Sequence, residues 1–372
     1  MKSSIYLDYA ATAPIVQCAR DAAKKYMTVY YNPSAAYGNA REVRADIENA
    51  RATIAKCVGA DPEEIYFTSG ATEGNNIIIQ GMTKDPFVRF VTTDIEHHSV
   101  LNLANSDTFF LHPNYEGHIK PRDIKGATDR YDLASVMMVN NEIGTIQPIK
   151  ELAKIVRKSG AFFHTDMTQA VGHIPVDCHD LGIDFATASG HKFGALKGVG
   201  FIYVRKGVEL PPLMLGGGQE RGLRSGTENV PGIMSMAAAL EYATTNLDKN
   251  LKHVEELHTY LRKELERNKF VFSYNYTLEN HYDGNCNVCF MGQRAEEIVE
   301  FLSNNMIYVS SGSACNTESG EPSHVLKAIG LTDDQADASI RISFGEKTTK
   351  EEIDALIESL KIYFKLRGGD GN

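Results

Sequence analysis

One cysteine stands apart in the stretch SSGSACNTESGEPSHV, residues 310–325. Cys315 has Ser, Gly, Ala, Asn, Thr and Glu around it, no apolar neighbour to bury it, and a Gly-Glu-Pro breaker behind it. Free cysteines are mostly small core hydrophobes. Core packing does not account for a thiol in a polar loop. No Lys or Arg lies beside it in sequence to lower its pKa, so activation must come from the folded site.

Three further stretches could work together. In FTSGATEGNN an apolar run ends at Phe67 and a Ser-Gly-Ala-Thr turn opens a helix. Free N–H groups at a helix start, with the Ser69 and Thr72 hydroxyls, make a phosphate cradle. The spacing is neither that of a P-loop nor that of a dinucleotide fingerprint. In AFFHTDMTQAVG, Asp166 ends an apolar strand and points into the crevice beyond the carboxyl ends of the sheet. A carboxylate there needs a positive partner. In ATASGHKFGALKGVGFIYV, Lys192 follows a strand directly, between His and Phe. Desolvation there lowers an amine's pKa and makes it nucleophilic.

Taken singly, each stretch has a plain alternative: a capped turn, a helix N-cap, or a solvated loop lysine, the role that suits Lys197 better. Taken together, a phosphate cradle, an inward carboxylate and a lysine after a strand are what pyridoxal phosphate requires. The lysine holds the cofactor covalently, the aspartate keeps its pyridine nitrogen protonated, and the helix start holds its phosphate.

The elements that must position these groups are legible as alternating strands and helices. GNAREVRADIENARATIAKCVGA carries Val43, Ile47, Ala50, Ile54 and Val58 at helical spacing. EIYFTSG, FVRFVTT, SVMMVNN, AFFHTD, DFATAS and GVGFIYV read as short buried strands, with helices in ATEGNNIIIQGM and PIKELAKIVRKSG. Buried strands alternating with helices predict a mainly parallel α/β sheet covered on both faces. Near residue 250 the pattern changes to a long amphipathic helix, NLKHVEELHTYLRKELERN. FVFSYNY, NVCFMG, EEIVEFLSN, ASIRISFG and a terminal helix follow, with Thr349 and Glu352 at capping-box spacing. The expectation is a large domain, 14–250, and a smaller α+β domain, 1–13 with 251–372, carrying the cysteine loop at about 310–322.

The order and spacing of these stretches resemble the cysteine desulfurases of the NifS/IscS type, in the class V aminotransferase group with pyridoxal phosphate fold type I. The resemblance runs nearly the length of the chain, through YLDYAATAP, NPSAAYGNA, FTSGATEGNN, EHHSV, VNNEIGTIQPI, HTDMTQAVG, SGHKFGALKGVG, GGGQERGLRSGTENV, SSGSACNTESGEPSHVL and SIRISFG. It implies that Lys192 holds pyridoxal phosphate, Asp166 pairs with the pyridine nitrogen and Gln169 bonds the ring's 3-oxygen. His97 should stack on the ring and serve as proton acceptor. Ala71, Thr72, Ser189, Gly190 and His191 should surround the phosphate, and Thr227 should reach the phosphate of the partner subunit, which implies a homodimer. Asn141, beside the cofactor, and Arg341 should hold the substrate carboxylate, a task that suits the planar guanidinium fork.

On this resemblance Cys315 takes sulfur from L-cysteine as a persulfide, leaves L-alanine, and passes the sulfur to an acceptor protein, an iron–sulfur scaffold or a tRNA thiolation enzyme. The long cysteine loop resembles the group I branch. A selenocysteine lyase or related aminotransferase, and a non-catalytic adaptor that only binds sulfur carriers, stay open as alternatives. The chain departs from the family pattern at Ala195-Leu196, where Gly-Pro is common, and at Ala35 and Tyr37, where Ser and His are common.

The remaining signals are restrictive. The net charge of −10 excludes general nucleic-acid affinity. No apolar run is long enough to span a membrane, the start MKSSIYLDYAATAP lacks the pattern of a signal peptide, and six scattered cysteines suit a reducing cytoplasm. CNVC, residues 286–289, reads as a strand whose positions three apart face opposite sides. Core cysteines are therefore expected there and no metal site. His112, His118 and His324 show no ligand spacing.

Overall fold

The computed structural model describes residues 4–85, 87–128, 131–311 and 321–367. In chain order the first strand is β1 (Ile5–Tyr6). The next seven build the central sheet: β2 (Ile65–Thr68), β3 (Phe90–Thr93), β4 (Phe109–Leu111), β5 (Leu133–Ser135), β6 (Phe162–Asp166), β7 (Phe185–Ser189) and β8 (Gly200–Val204). Then come β9 (Phe272–Tyr274), β10 (Asn285–Phe290), β11 (Ile307–Tyr308), β12 (Ser310–Ser311) and β13 (Ser339–Ser343).

The central sheet has the order β2-β8-β7-β6-β5-β3-β4. From β7 to β4 every pairing is parallel, and β8 runs antiparallel to both β7 and β2. Strands β2, β6 and β7 therefore share one direction, and their carboxyl ends meet at one edge. Side chains alternate between two cores, as pleating demands. Phe201 and Tyr203 of β8 join the core under helices Gln17–Tyr26, Gly38–Cys57 and Val230–Thr245. Ile202 and Val204 face the opposite core, where Ile77, Ile78 and Ile79 of helix Ala71–Met82 pack. The strands are apolar throughout because both faces are covered. The SVMMVNN run, residues 135–141, is not the strand its composition predicts, since only its first residue lies in one. The ladder β5 stops at Ser135, although Val136 and Met138 still donate to the His164 and Asp166 carbonyls.

Strands β12, β13, β10 and β9 form a second, antiparallel sheet. Its core draws on helices Leu247–Arg267, Ala295–Asn304 and Lys350–Leu366, and includes Leu7 from the start of the chain. Beside it β1 pairs in parallel with β11. Thr349 and Glu352 form the capping box that their spacing predicts. Cys286 and Cys289 are both fully buried free thiols on β10, so the CNVC motif is core. Among the described residues no helix is long and apolar enough to cross a membrane.

Candidate active site

Gly200, at the start of β8, pairs with Thr68 of β2 on one side and Ser189 of β7 on the other. A Cβ on Gly200 would lie 2.6 Å from the Gly70 Cα and 2.5 Å from the Ala188 carbonyl oxygen, so only glycine admits this approach. Gly70 in turn caps helix Ala71–Met82, and a Cβ on it would stand 3.2 Å from the Ser189 hydroxyl. Ser69, Ala71, Thr72 and Ser189 are thereby gathered around a helix start on the wall of one cavity of about 630 Å³. That volume falls within the range of small-molecule sites, roughly 300–1,000 Å³. Glu73 steadies the turn: its carboxylate accepts from the Ser69 N–H at 2.9 Å and pairs with Arg224 at 2.7 Å.

The same cavity is lined by His97, Asn141, Asp166, Gln169, His191, Lys192 and Arg341. Lys197 is exposed at its rim. Gly190 is buried behind the wall, its N–H bonded to the Val199 carbonyl. Thr227 is exposed and lies outside the cavity of its own chain. Cys315 lies outside the described residues.

Asp166 ends β6 and is only 5% exposed. Its Oδ1 accepts from the Thr168 N–H and its Oδ2 from the Asn75 amide, each at 2.9 Å. The Lys192 ammonium donates to the carbonyls of Ala10 and Ala11 at 2.7 and 2.9 Å. Gln169 donates to the Ala10 carbonyl as well. His191 contacts Thr12 through Nδ1 at 3.1 Å, and burial beside Lys192 and Lys197 pushes its imidazole down to about 4. His97 caps the short helix that follows it, its Nδ1 accepting from the Ser99 N–H. Burial likewise lowers the pKa of His97, against a smaller opposing pull from Asp166.

Arg341 projects from β13 and is 7% exposed. Its Nη1 donates to the Asn141 carbonyl at 2.9 Å and its Nη2 to the Asp8 carboxylate at 2.8 Å. Asn141 sits in a tight loop whose next residue, Glu142, is buried. Burial raises the Glu142 carboxyl to about 7, although the Ser323 hydroxyl donates to it. Two strands from the second sheet, β12 through Ser310 and β13 through Arg341, thus complete a cavity floored by the first sheet.

The Aminotransferase class-V family model matches residues 5–356. The chain belongs to this family. It is similar to the cysteine desulfurase IscS of Dictyoglomus turgidum, 42% identical over 99% of this chain and 96% of that protein. It is 38% identical to the IscS of Methanosarcina thermophila, over 98% of this chain and 93% of that one. Among solved structures, a NifS-like protein from Rickettsia africae superimposes with a TM-score of 0.90 at 32% identity, covering 98% of this chain and all of the other. SspA in complex with cysteine gives 0.81 at 34%, over 93% of this chain and all of that one.

The family is pyridoxal phosphate-dependent, and the residues present fit the cofactor. A buried carboxylate held by two neutral donors is the complement of a protonated ring nitrogen. A helix start flanked by Ser69, Thr72 and Ser189 suits a phosphate, and a primary amine lies in the same cavity. Sequence reasoning missed three residues of this class-V site. Asp8 pairs with Arg341 across 333 positions, and Asn75 bonds Asp166 across 91. Ser99 joins Asn75 to His97. Asn75 carried a signal only as part of FTSGATEGNN; nothing local marks its partners.

Proposed function

We propose that the chain is a cysteine desulfurase that converts L-cysteine to L-alanine and takes the sulfur on Cys315 as a persulfide for an acceptor protein. The observation that carries this reading is the convergence of Asp166, the Lys192 amine and the Arg341 fork on one cavity. Curated relatives described as cysteine desulfurases, 37–42% identical over nearly the whole chain, support it.

When bound, pyridoxal phosphate supplies an electron sink that stabilises negative charge at the substrate's α-carbon. The protein's part is to hold, orient and move protons. Ala71, Thr72, Ser189 and His191 hold the phosphate, with Gly190 packed behind them. Asp166 would keep the ring nitrogen protonated, Gln169 would meet the 3-oxygen and His97 would serve the ring. Lys192 would leave the Ala10 and Ala11 carbonyls to hold the cofactor, and its amine is the group placed to move a proton at the substrate's α-carbon. Arg341 and Asn141 fix the substrate carboxylate, which stops the amino acid rotating.

Residues 14–250 then act as the cofactor domain, and 1–13 with 251–372 as the smaller domain that brings Arg341 and Cys315 to it. Two copies form a homodimer in which Thr227 of one reaches the cofactor phosphate of the other. The enzyme works in a reducing cytoplasm and feeds iron–sulfur assembly or tRNA thiolation. The test is to give the cofactor-loaded protein L-cysteine and a dithiol. Alanine and sulfide should appear in equal amounts, and Cys315→Ala should abolish both. Alanine formed at the undiminished rate by Cys315→Ala would replace this reading with that of a lyase which releases sulfur directly.

A further inference from the structure

Five buried or half-buried side chains behind the cavity form one hydrogen-bonded chain. The Thr187 hydroxyl meets the Asn75 Oδ1 at 2.7 Å. The Asn75 Nδ2 lies 2.9 Å from Asp166 Oδ2 and 2.8 Å from Ser99 Oγ. Ser99 Oγ lies 2.8 Å from His97 Nδ1, and the Ser99 backbone N–H donates to that same nitrogen at 3.1 Å.

The protons in this chain follow by elimination. Asp166 is an acceptor, so the Asn75 atom facing it must be the NH₂; the flipped amide would set two oxygens against each other. Both Nδ2 hydrogens are then used, one on Asp166 and one on Ser99. Having accepted from Asn75, the Ser99 oxygen keeps its own hydrogen for His97. His97 Nδ1 thus receives two donors, a backbone N–H and a hydroxyl, and has no room for a proton. The neutral ring carries its hydrogen on Nε2, the nitrogen turned away from Ser99.

We propose that Asn75 is a positioning residue which, through Ser99, locks His97 in the Nε2-protonated tautomer while holding Asp166 in place. His97 then offers the cavity a hydrogen-bond donor, not a base. The direction is opposite to the proton-accepting role expected from the resemblance, and it leaves the Lys192 amine as the proton carrier, which rests on the desulfurase reading above. Protonating His97 at Nδ1 would require the Ser99 hydroxyl to turn away and its N–H to lose an acceptor, and both groups are buried.

Solid-state ¹⁵N NMR of histidine-labelled holoenzyme reads the tautomer directly, with the His97 signals identified by their loss in His97→Gln. The expected result is a bare Nδ1 and a protonated Nε2 across pH 6–9. Ser99→Ala and Asn75→Ala leave the backbone N–H on Nδ1 but remove or free the hydroxyl donor, so a measurable fraction of the Nδ1-protonated form should appear, and Ser99→Thr, which keeps both donors, should show none. Asn75→Ala should lower kcat on the order of 10-fold with KM nearly unchanged, the weight of one buried hydrogen bond. A protonated Nδ1 in the wild-type protein overturns the proposal even if the variants fail to fold. So does a tautomer that both folded alanine variants leave unchanged. Failure to make alanine from L-cysteine would sink the desulfurase reading but would not alter what the nitrogen signals report.

Discussion

Lys192 and Arg341 each rest on acceptors that a ligand must displace or share, and both displacements can be measured. Lys192 sits on two backbone carbonyls. Borohydride treatment of the cofactor-loaded protein should fix pyridoxal phosphate to the Lys192 peptide in a mass spectrum, and an adduct on Lys197 would refute that anchor. Arg341 is already neutralised by Asp8. Asp8→Asn keeps the hydrogen bond but removes the competing charge, so KM for L-cysteine should fall roughly threefold to tenfold, about 1 kcal/mol. An unchanged or higher KM would mean that Asp8 only props the guanidinium. Glu96, beside His97, is fully buried, and burial pushes its carboxyl from 4.5 up to about 8, against donors from Met137 and Thr93. A folded pKa above the unfolded one means that the native state keeps its proton after the unfolded chain has lost it. This group's stabilisation is therefore complete below pH 4.5 and is lost progressively as the pH rises through about 8. Glu96→Gln cannot titrate, so its melting temperature should fall less than that of wild type between pH 6 and 8.5, by the equivalent of about 1–3 kcal/mol. Parallel curves for the two proteins would show that Glu96 is ionised in the fold.

At the scale of elements, the site depends on how close β8 comes to the turn before helix Ala71–Met82. Gly200→Ala puts a methyl 2.6 Å from the Gly70 Cα, so strand or turn must move. The expected loss is about 1–3 kcal/mol of stability, together with weaker cofactor retention on dialysis. Full retention would mean that the phosphate turn tolerates the shift. Much of this layer is legible in the sequence. The helices read from GNAREVRADIENARATIAKCVGA and ATEGNNIIIQGM are observed at Gly38–Cys57 and Ala71–Met82, the first three residues shorter than its stretch, because apolar spacing is a local signal. Asp166 and Lys192 are legible because each follows an apolar strand whose end must open into a crevice. The antiparallel setting of β8, the Asp8 counter-charge and the Asn75–Ser99 bridge are not, since each is fixed by pairing between segments far apart in the chain. Periodicity carries no information about such partners.

At the scale of the molecule, the exposed Thr227 makes a single subunit an incomplete account of the site if its role is in the neighbour. Mixing Lys192→Ala and Thr227→Ala proteins tests this. Shared sites give a heterodimer with one doubly damaged and one intact cavity, so activity should recover toward about a quarter of wild type for random reassortment, a statistical expectation for closed two-fold dimers. No recovery despite proven subunit exchange would confine each site to its own chain. Within one subunit, Arg341, the proposed seat of the substrate carboxylate, is paired with Asp8, 333 positions away. A ribosome releases Asp166 and Lys192 well before Arg341, so a nascent chain can assemble the strands that carry the first two while Asp8 still waits for its counter-ion. On the proposed roles, the side of the cavity that grips the substrate is therefore among the last parts of the chain to be made, after every strand of the first sheet.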